Sequence, residues 1–453
     1  MEPLSKKKVL VVGLGVSGRA ASRLLVEHKA VVTAVDSKEA SDPALDKALK
    51  ELGVEIRRNV TTYPDEAWDL VVLSPGVDPS GDFASAIPKG VPVIGELELA
   101  FRLAHCLNLA VTGTNGKTTV TEMITHVLQG SLRKVEAAGN IGRPYSEVIP
   151  RTRDLDFTVL EVSSFQLETI QYFRPVVAVL TNISPDHMDR HGNRLDYALV
   201  KSKMFKNQQV FDWAVVQSEA LAYLMTQGVE IRSKLITFSA RNRNADLYLD
   251  RGMIISRIPD WSGPVLDVKE WGFHGLHQAE NLMATIAVGR ILRVPLEEML
   301  DSIRSFKVPP HRCELILEKN GVRYVNDSKS TNADSLAKAL ESMPSQRAGE
   351  PNVWLIAGGC DKGLEYHDLG PLIARRVKGA FLLGENRAQL QCSWSLFTSC
   401  YLVDSLKEAV ERSHLSATEG DVVLLSPASS SFDMFTGYKD RGDQFRQLVE
   451  KLP

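Results

Sequence analysis

Cysteines are few in this sequence, and no two of them have the C-x-x-C spacing of metal-binding or redox motifs. The chain has five: Cys106, Cys313, Cys360, Cys392 and Cys400. Such an odd, scattered set is typical of reduced thiols in a cytosolic protein and argues against the disulfide framework of a small secreted domain. A chain of 453 residues can bury several cores without covalent staples.

The chain also lacks a long apolar run and an excess of charge of either sign. No run approaches the roughly 18 apolar residues that a membrane-spanning helix needs. With 53 Lys and Arg against 56 Asp and Glu, the net charge is only −3, so no global positive field attracts nucleic acid or an anionic membrane. The apolar run that follows Lys6–Lys8 soon meets Gly13, which favours a strand over a signal peptide. We therefore expect a cytoplasmic monomer with no nucleic-acid partner and no membrane insertion.

Strand-like apolar runs alternate with amphipathic stretches along most of the chain, a pattern that predicts α/β layers with parallel sheets. At about 150 residues per domain, the length suggests about three domains. The Pro-Pro pair in Val308–Pro310 marks one break, and Asp246–Arg257 and Val265–Trp271 have the pattern of β-hairpin strands. We place the domains at residues 1–97, 98–308 and 309–453.

A glycine pattern near the N-terminus predicts a nucleotide site. Gly13, Gly15 and Gly18 form a G-x-G-x-x-G turn after the apolar run Val9–Val12, and Asp36 follows about 20 residues later, where a Rossmann domain binds a ribose hydroxyl. This spacing suits a nicotinamide dehydrogenase, but it fits any nucleotide diphosphate, and glycine-rich turns also arise for packing reasons.

A second and more specific loop lies at Thr112–Thr119, with the sequence Thr-Gly-Thr-Asn-Gly-Lys-Thr-Thr. It follows a short apolar run and opens a helical pattern, so its amides can surround phosphate oxygens. Lys117 would reach the β- and γ-phosphates, and a threonine hydroxyl would bind Mg²⁺. The loop is a shortened phosphate-binding loop because Val111 stands where the longer form has glycine. A dehydrogenase has no use for an ATP loop, but it stays open as an alternative, beside a non-catalytic nucleotide sensor.

These motifs together resemble the Mur ligase family, ATP-dependent amide-forming enzymes of peptidoglycan synthesis. The resemblance runs nearly from end to end, and the segment Leu160–Leu167 is similar to the version in members that add D-glutamate. The matching segments are Thr112–Thr119, Gly139–Gly142, Leu160–Leu167, Asn182–Asp189, Asn326–Asn332, Gly358–Lys362 and Leu425–Ala428.

The resemblance implies a fold and an activity. The fold is α/β with three domains: an N-terminal Rossmann-like domain, a central P-loop ATPase-like domain with a mostly parallel sheet, and a C-terminal Rossmann-like domain. The activity joins D-glutamate to UDP-N-acetylmuramoyl-L-alanine through an acyl phosphate, with ATP and Mg²⁺ as cofactors. Other family members add another amino acid or extend folate with glutamate. The Asp-Asn-Pro-Arg motif of the diaminopimelate-adding member is absent from this chain.

The resemblance also assigns roles to residues. Those implied to bind ATP are Gly113, Thr114, Asn115, Gly116, Lys117, Thr118, Thr119, Asn281, Arg312 and Asp327. The implied catalytic residues are Lys117, His187, Lys201 and Lys329. Those implied to hold Mg²⁺ are Thr118, Glu161, His187 and Lys201, the last as a carbamate formed with CO₂. The UDP-sugar would contact Val16, Ser17, Asp36, Ser37, Lys38, Gly76, Asn140, Ser163 and Gln166. D-glutamate would contact Thr331, Lys362, Ser431 and Tyr438.

Several of these residues have structural alternatives. Lys203, two positions from Lys201, is a rival for the carbamate, and either lysine can simply be solvated on a helix. A lone histidine such as His187 is often structural, although its neighbour Asp186 is placed to orient the ring for a metal. Arg312 can equally form an interdomain salt bridge.

Overall fold

The computed structural model describes residues 4–40, 42–64, 66–259, 261–268, 275–345, 350–360, 363 and 365–453. Within them the strands form three sheets that follow one another along the chain. In the described ranges, short 3₁₀ turns lie at Tyr145–Glu147, Ile149–Arg151, Lys203–Phe205 and His367–Leu369.

The first sheet is wholly parallel. Its three middle strands are rich in valine and largely buried, as is usual where crossovers cover a parallel sheet. Its strands are β1 (Lys8–Val12), β2 (Val31–Asp36), β3 (Glu55–Arg58), β4 (Leu70–Leu73) and β5 (Val93–Gly95). Its helices are α1 (Val16–Glu27), α2 (Pro43–Glu51) and α3 (Asp82–Ser85), and α4 (Glu96–Leu103) leads from this sheet to the central one. In the order β3-β2-β1-β4-β5, the chain adds β2 and β3 on one side of β1 and then β4 and β5 on the other. The crossovers therefore diverge between β1 and β4, which opens a crevice at the carboxyl ends of these two strands.

The central sheet has nine strands and carries an antiparallel end. The strands are β6 (Leu107–Thr112), β7 (Val135–Gly139), β8 (Phe157–Glu161), β9 (Val177–Leu180), β10 (Trp213–Gln217), β11 (Lys234–Ser239), β12 (Leu247–Asp250), β13 (Met253–Ser256) and β14 (Gly263–Asp267). The helices are α5 (Lys117–Gly130), α6 (Ser164–Glu168), α7 (Met188–His191), α8 (Arg194–Ser202), α9 (Ser218–Thr226), α10 (Leu276–Ile291) and α11 (Leu296–Ser305). The order β14-β13-β12-β11-β10-β9-β6-β8-β7 places β6 between β9 and β8.

The third sheet has six strands, of which the first pairs antiparallel with the second. The strands are β15 (Glu314–Lys319), β16 (Val322–Asn326), β17 (Val353–Ala357), β18 (Val377–Leu382), β19 (Ser399–Leu402) and β20 (Val422–Leu425). The helices are α12 (Ala333–Ser342), α13 (Gly370–Arg376), α14 (Arg387–Trp394), α15 (Leu406–Ser416) and α16 (Tyr438–Glu450). The order is β15-β16-β20-β17-β18-β19.

The predicted fold class is confirmed: three α/β units with mostly parallel sheets follow one another. The predicted hairpin in Asp246–Arg257 is β12 paired antiparallel with β13. The predicted strand in Val265–Trp271 corresponds to β14, which ends at Asp267, and residues 269–271 lie outside the described part of the chain.

The apolar cores show how the units are joined. One cluster contains side chains of both the first and the central unit, for example Leu24, Leu97, Leu160 and Leu180. The two clusters of the last unit consist, among the described residues, of that unit's own side chains. All five cysteines are unpaired. Of the helices in the described ranges, none is long and apolar enough to cross a bilayer.

Candidate active site

The candidate site lies at the carboxyl ends of three neighbouring strands of the central sheet. The ATP loop, residues 112–119, leaves β6; Glu161 ends β8; and the segment that carries His187 follows β9. Since parallel strands end at the same edge of the sheet, these three stretches meet there, the usual place for a ligand in an open α/β sheet.

The ATP loop is held by hydrogen bonds to the segment after β9. The Asn115 amide donates to Asn182 Oδ1 (2.9 Å), and Thr181 Oγ1 donates to the Asn115 carbonyl (2.6 Å). Gly116, the N-cap of α5, has φ +85°, and a Cβ at this position would lie 2.5 Å from Asn281 Oδ1. Glycine is required there both by the backbone conformation and by the approach of the asparagine. Asn281, which the resemblance implies in ATP binding, therefore lies against the loop.

Two lysines share one carbonyl of this loop. Lys117 Nζ donates to the carbonyls of Gly113 (3.0 Å) and Thr114 (2.7 Å), and Lys201 Nζ donates to the same Gly113 oxygen (2.8 Å). Lys201 is only 1% exposed. Burial, and next the charge of Lys117, hold the pKa of Lys201 well below its ordinary value. A lowered pKa favours the neutral amine, the form of lysine that reacts with CO₂.

The two carboxylate oxygens of Glu161 differ in their hydrogen bonding. Its Oε1 accepts a hydrogen bond from Asn140 Nδ2 (2.9 Å), while its Oε2 is buried and has no hydrogen-bond partner among the described residues. An unpaired buried carboxylate oxygen is costly, and a hard cation would satisfy it. The described residues contain no group of three His, Cys, Asp or Glu that could hold a metal unaided. A Mg²⁺ here would need other donors as well, such as a hydroxyl, a carbamate and phosphate oxygens.

The expected role of Asp186 differs from what the structure shows. His187 Nε2 lies 3.8 Å from Asp186 Oδ2, beyond hydrogen-bond distance. Instead Asp186 Oδ2 accepts from Asn332 Nδ2 (3.1 Å), and Asp186 Oδ1 accepts from the His187 amide (3.0 Å). The His187 ring packs edge-on against Phe165, with centroids 4.9 Å apart. The ring thus contacts an aromatic neighbour, while the Asp186 carboxylate also bonds the last unit.

The last unit contributes cations and a carboxyl group to the same cleft. Lys329 Nζ lies 4.0 Å from the centre of the Tyr438 ring, and burial, followed by the charge of Arg312, lowers the pKa of Lys329 to about 8. Asp327 accepts hydrogen bonds from Ser426 Oγ (2.9 Å) and the Cys313 amide (3.1 Å), yet burial raises its pKa to about 7. Shifted ionisable groups gathered in a cleft are typical of an active site.

The cleft encloses about 480 Å³ between the central and last units. The structure brings together there nearly all residues implied to bind ATP, Mg²⁺ and D-glutamate: Thr114, Asn115, Gly116, Lys117, Thr118, Thr119, Glu161, His187, Lys201, Asn281, Arg312, Asp327, Lys329, Thr331, Ser431 and Tyr438. Ser163 of the implied UDP-sugar set also lines it. Gly113 does not line this cleft, although its carbonyl accepts hydrogen bonds from Lys117 and Lys201, which do. Lys362 lies outside the described residues.

A second cleft, of about 810 Å³, opens at the strand reversal of the first sheet. The other residues implied to bind the UDP-sugar line it: Val16, Ser17, Asp36, Ser37, Lys38, Gly76, Asn140 and Gln166. Asp36 has a structural task as well, since its carboxylate accepts from the amides of Leu14 (2.6 Å) and Lys38 (2.9 Å). Asn140 lines both clefts, so they adjoin at this residue.

Among the residues to which the sequence analysis gave no role are Lys338 and Asp334. Lys338 lines the cleft, and Asp334, its ion-pair partner at 2.7 Å, bonds the ATP loop. They stand four positions apart in α12, which directly follows the Asn326–Asn332 segment. The i,i+4 spacing of opposite charges was the available signal.

Comparison with known proteins matches each of the three units to a Mur ligase domain. Residues 7–95 match the Mur ligase MurD-like N-terminal domain, residues 111–289 the Mur ligase middle domain, and residues 311–429 the Mur ligase glutamate ligase domain. Among curated relatives, the UDP-N-acetylmuramoylalanine–D-glutamate ligase of Pelotomaculum thermopropionicum is 39% identical, with 100% of this chain and 99% of the relative covered. The enzyme of the same name from Acidobacterium capsulatum is 37% identical, with 98% and 96% covered.

Solved structures share the fold at low sequence identity. The MurF ligase of Thermotoga maritima, determined in complex with ADP, is 18% identical with a TM-score of 0.61, and each chain is covered completely. The UDP-N-acetylmuramate–alanine ligase MurC of the same organism is 18% identical with a TM-score of 0.60, covering 98% of this chain and 99% of the other. With its three units each matching a ligase domain and its relatives covered from end to end, the chain belongs to the Mur ligase family.

Proposed function

We propose that this protein is an ATP-dependent ligase that joins D-glutamate to UDP-N-acetylmuramoyl-L-alanine in peptidoglycan precursor synthesis. The relatives that carry this name cover the chain from end to end. We further propose that the first unit ends near residue 97 and the last begins near residue 309. A dehydrogenase reaction would use neither the ATP loop nor Lys117 and Lys201, which bond the Gly113 carbonyl.

The observation that carries the proposal is the meeting of the two clefts at Asn140. A UDP-sugar bound in the first cleft, with its pyrophosphate at the amides of Val16 and Ser17, can extend its acyl end past Asn140. There it would reach the ATP cleft between Glu161 and the ATP loop. A protein that used only one of the two clefts would not need a connection between them.

In the first chemical step, the alanine carboxylate attacks the γ-phosphorus of ATP, and the bond from that phosphorus to the bridging oxygen breaks to release ADP. Lys117 neutralises charge on the transferred phosphoryl group, and the Arg312 guanidinium approaches it from the last unit. Thr118, Glu161, His187 and a carbamate of Lys201 would hold Mg²⁺, which would neutralise phosphate charge. These residues fit that ion because they offer hard oxygens and one imidazole.

In the second step, the free amine of D-glutamate attacks the acyl carbon and forms a tetrahedral intermediate. That intermediate collapses to the amide, releases phosphate and loses a proton from the nitrogen. We assign the recognition of the glutamate carboxylates to Thr331, Lys362, Ser431 and Tyr438, since hydroxyls and an ammonium suit carboxylates. Lys329 would stabilise the charge on the departing phosphate.

The experiment that tests this proposal is phosphate release with UDP-N-acetylmuramoyl-L-alanine and a panel of D- and L-amino acids. We expect release only with ATP, the UDP-sugar and D-glutamate together. Preference for a different amino acid would reassign the substrate within the family. Fast ATP hydrolysis without either acceptor, or nucleotide binding with no release under any condition, would refute the ligase proposal.

A further inference from the structure

Asp334, the second residue of α12, bridges the last unit and the ATP loop. Its Oδ2 accepts hydrogen bonds from Asn115 Nδ2 in the ATP loop (2.6 Å) and from Ser184 Oγ in the segment after β9 (3.0 Å). Lys338 Nζ, one turn later in α12, donates to the same oxygen (2.7 Å). One carboxylate thus joins three separate stretches of the chain.

A second residue of the same turn strengthens the bridge. Asn332 Nδ2 donates to Asp186 Oδ2 (3.1 Å), and Asn332 Oδ1 accepts from Asn115 Nδ2 (3.3 Å). Thr331, which we assign to D-glutamate, immediately precedes Asn332. We call the segment Asn326–Asn332, which carries Thr331, the D-glutamate loop. The hydrogen bonds of Asn332 and Asp334 therefore fix where this loop lies relative to the ATP loop.

Asp334 is not needed to cap its own helix. The N-cap of α12 is Asn332, whose side chain accepts from the Ser335 amide in a complete capping box. The Asp334 side chain, 29% exposed, instead faces the central unit. Burial acts to raise the pKa of Asp334, but Lys338 and the hydrogen bonds from Lys338, Asn115 and Ser184 outweigh it and lower that pKa. The group is therefore a carboxylate at neutral pH, and hydrogen bonds to a carboxylate are stronger than those to a neutral acceptor.

We propose that Asp334 is a positioning residue for the ligation step: its carboxylate holds the D-glutamate loop against the ATP loop so that the amine and the acyl phosphate meet. This inference rests on the proposed function. The UDP-sugar cleft lies between the first and central units, which share an apolar core, so it does not depend on this bridge. Loss of the bridge should therefore weaken D-glutamate binding selectively, because only the fraction of molecules with the loops together binds it.

The test is steady-state kinetics of Asp334→Ala, Asp334→Asn and Ser184→Ala. We expect the KM for D-glutamate to rise by about tenfold in Asp334→Ala, the scale of one lost charge-assisted hydrogen bond. The KM for the UDP-sugar should stay within about twofold, since its cleft does not involve the bridge. Asp334→Asn, which keeps an acceptor oxygen, should lie between wild type and Asp334→Ala. Ser184→Ala should raise the KM for D-glutamate less than Asp334→Ala does. In the double variant, the added Ser184→Ala change should have almost no further effect on this KM.

The matched control is Glu408→Ala. Glu408 is also an acidic residue in the first turn of a helix of the last unit, and it bonds Asp404 and Arg412 of that unit. We expect wild-type kinetics from this variant. A rise in its KM for D-glutamate equal to that of Asp334→Ala would show that any destabilisation of the last unit suffices, and would overturn the positioning role.

A second readout does not depend on turnover. With a non-hydrolysable ATP analogue and the UDP-sugar bound, small-angle scattering should show a larger radius of gyration for Asp334→Ala than for wild type. An unchanged radius together with an unchanged KM for D-glutamate would overturn the inference. If Asp334→Ala fails to fold, Ser184→Ala decides by the same two measurements. Wild-type protein that releases no phosphate with D-glutamate would instead refute the proposed function.

Discussion

At the scale of single residues, Lys117 combines two tasks on the ATP loop. Its ammonium holds the carbonyls of Gly113 and Thr114 and would turn to the phosphates when ATP binds. We predict that Lys117→Ala lowers kcat because the activation free energy rises by about 3 kcal/mol or more, the scale of a lost preorganised donor. Turnover measured by phosphate release checks this, with thermal unfolding to show that the fold survives. Turnover within a few fold of wild type would mean that residues 112–119 do not bind ATP.

Lys201 and Lys203 differ in what their ammonium groups face. Lys201 Nζ reaches the Gly113 carbonyl, whereas Lys203 Nζ donates to the Glu168 carbonyl (3.2 Å) and lies in the 3₁₀ turn after α8. We predict that Lys201→Ala is nearly inactive and that Lys203→Ala keeps most activity. Small carboxylic acids at high concentration should restore part of the rate of Lys201→Ala by occupying the vacated anionic position. Activity in both variants would refute the carbamate, and an inactive Lys203→Ala with an active Lys201→Ala would move it to Lys203.

The charge of Lys329 should set the alkaline limit of activity. Its pKa of about 8 means that the group is an ammonium below that pH and a neutral amine above it. We therefore predict that kcat/KM for ATP, which reports the free enzyme, falls as the pH rises through about 8. In Lys329→Arg the guanidinium stays charged, so any remaining activity should fall only at higher pH. An alkaline limit at the same pH in that variant would assign it to another group.

At the scale of elements, the start of α1 packs against the turn that follows β1. A Cβ at Gly18 would lie 1.8 Å from the Gly13 carbonyl oxygen and 2.7 Å from Ser74 Oγ, whereas a Cβ at Gly15 would meet nothing within 4 Å. We predict that Gly18→Ala lowers the free energy of unfolding by about 1–3 kcal/mol, the usual cost of overpacking, and weakens UDP-sugar binding. Gly15, with φ −66°, is the matched control, and Gly15→Ala should unfold at the wild-type temperature. Equal stability of both variants would contradict this account of the turn.

At the scale of the whole molecule, the last unit is joined differently from the first two. The first and central units share one apolar core, whereas the last unit meets the central one through polar contacts such as Asn115 to Asp334 and Arg241 to Glu341 (3.3 Å). Polar interfaces between domains permit relative motion. We predict that ligand-free protein samples open arrangements, and that ATP with the UDP-sugar compacts it in small-angle scattering. An unchanged radius in a form that is open without ligands would contradict closure.

The predictable part of the fold and the site follows from local patterns. Alternating apolar runs determined the three α/β units, because burial of a strand needs only a few consecutive residues. The ATP loop followed from Thr112–Thr119, since its glycines and Lys117 act within one turn of backbone. The residues of the two clefts were named through the family resemblance, and the structure gathers the described ones, apart from Gly113, around them.

The sequence by itself therefore determined which segments carry chemistry, and the tertiary structure decided which side chains meet. Lys201 shares the Gly113 carbonyl with Lys117 because the fold places α8 beside the loop that follows β6. Asp186 bonds Asn332, 146 positions away, rather than the ring of the adjacent His187. Asp334 reaches the ATP loop because the last unit closes on the central sheet. Contacts between residues so distant in sequence depend on the packing of whole units, which no local pattern records.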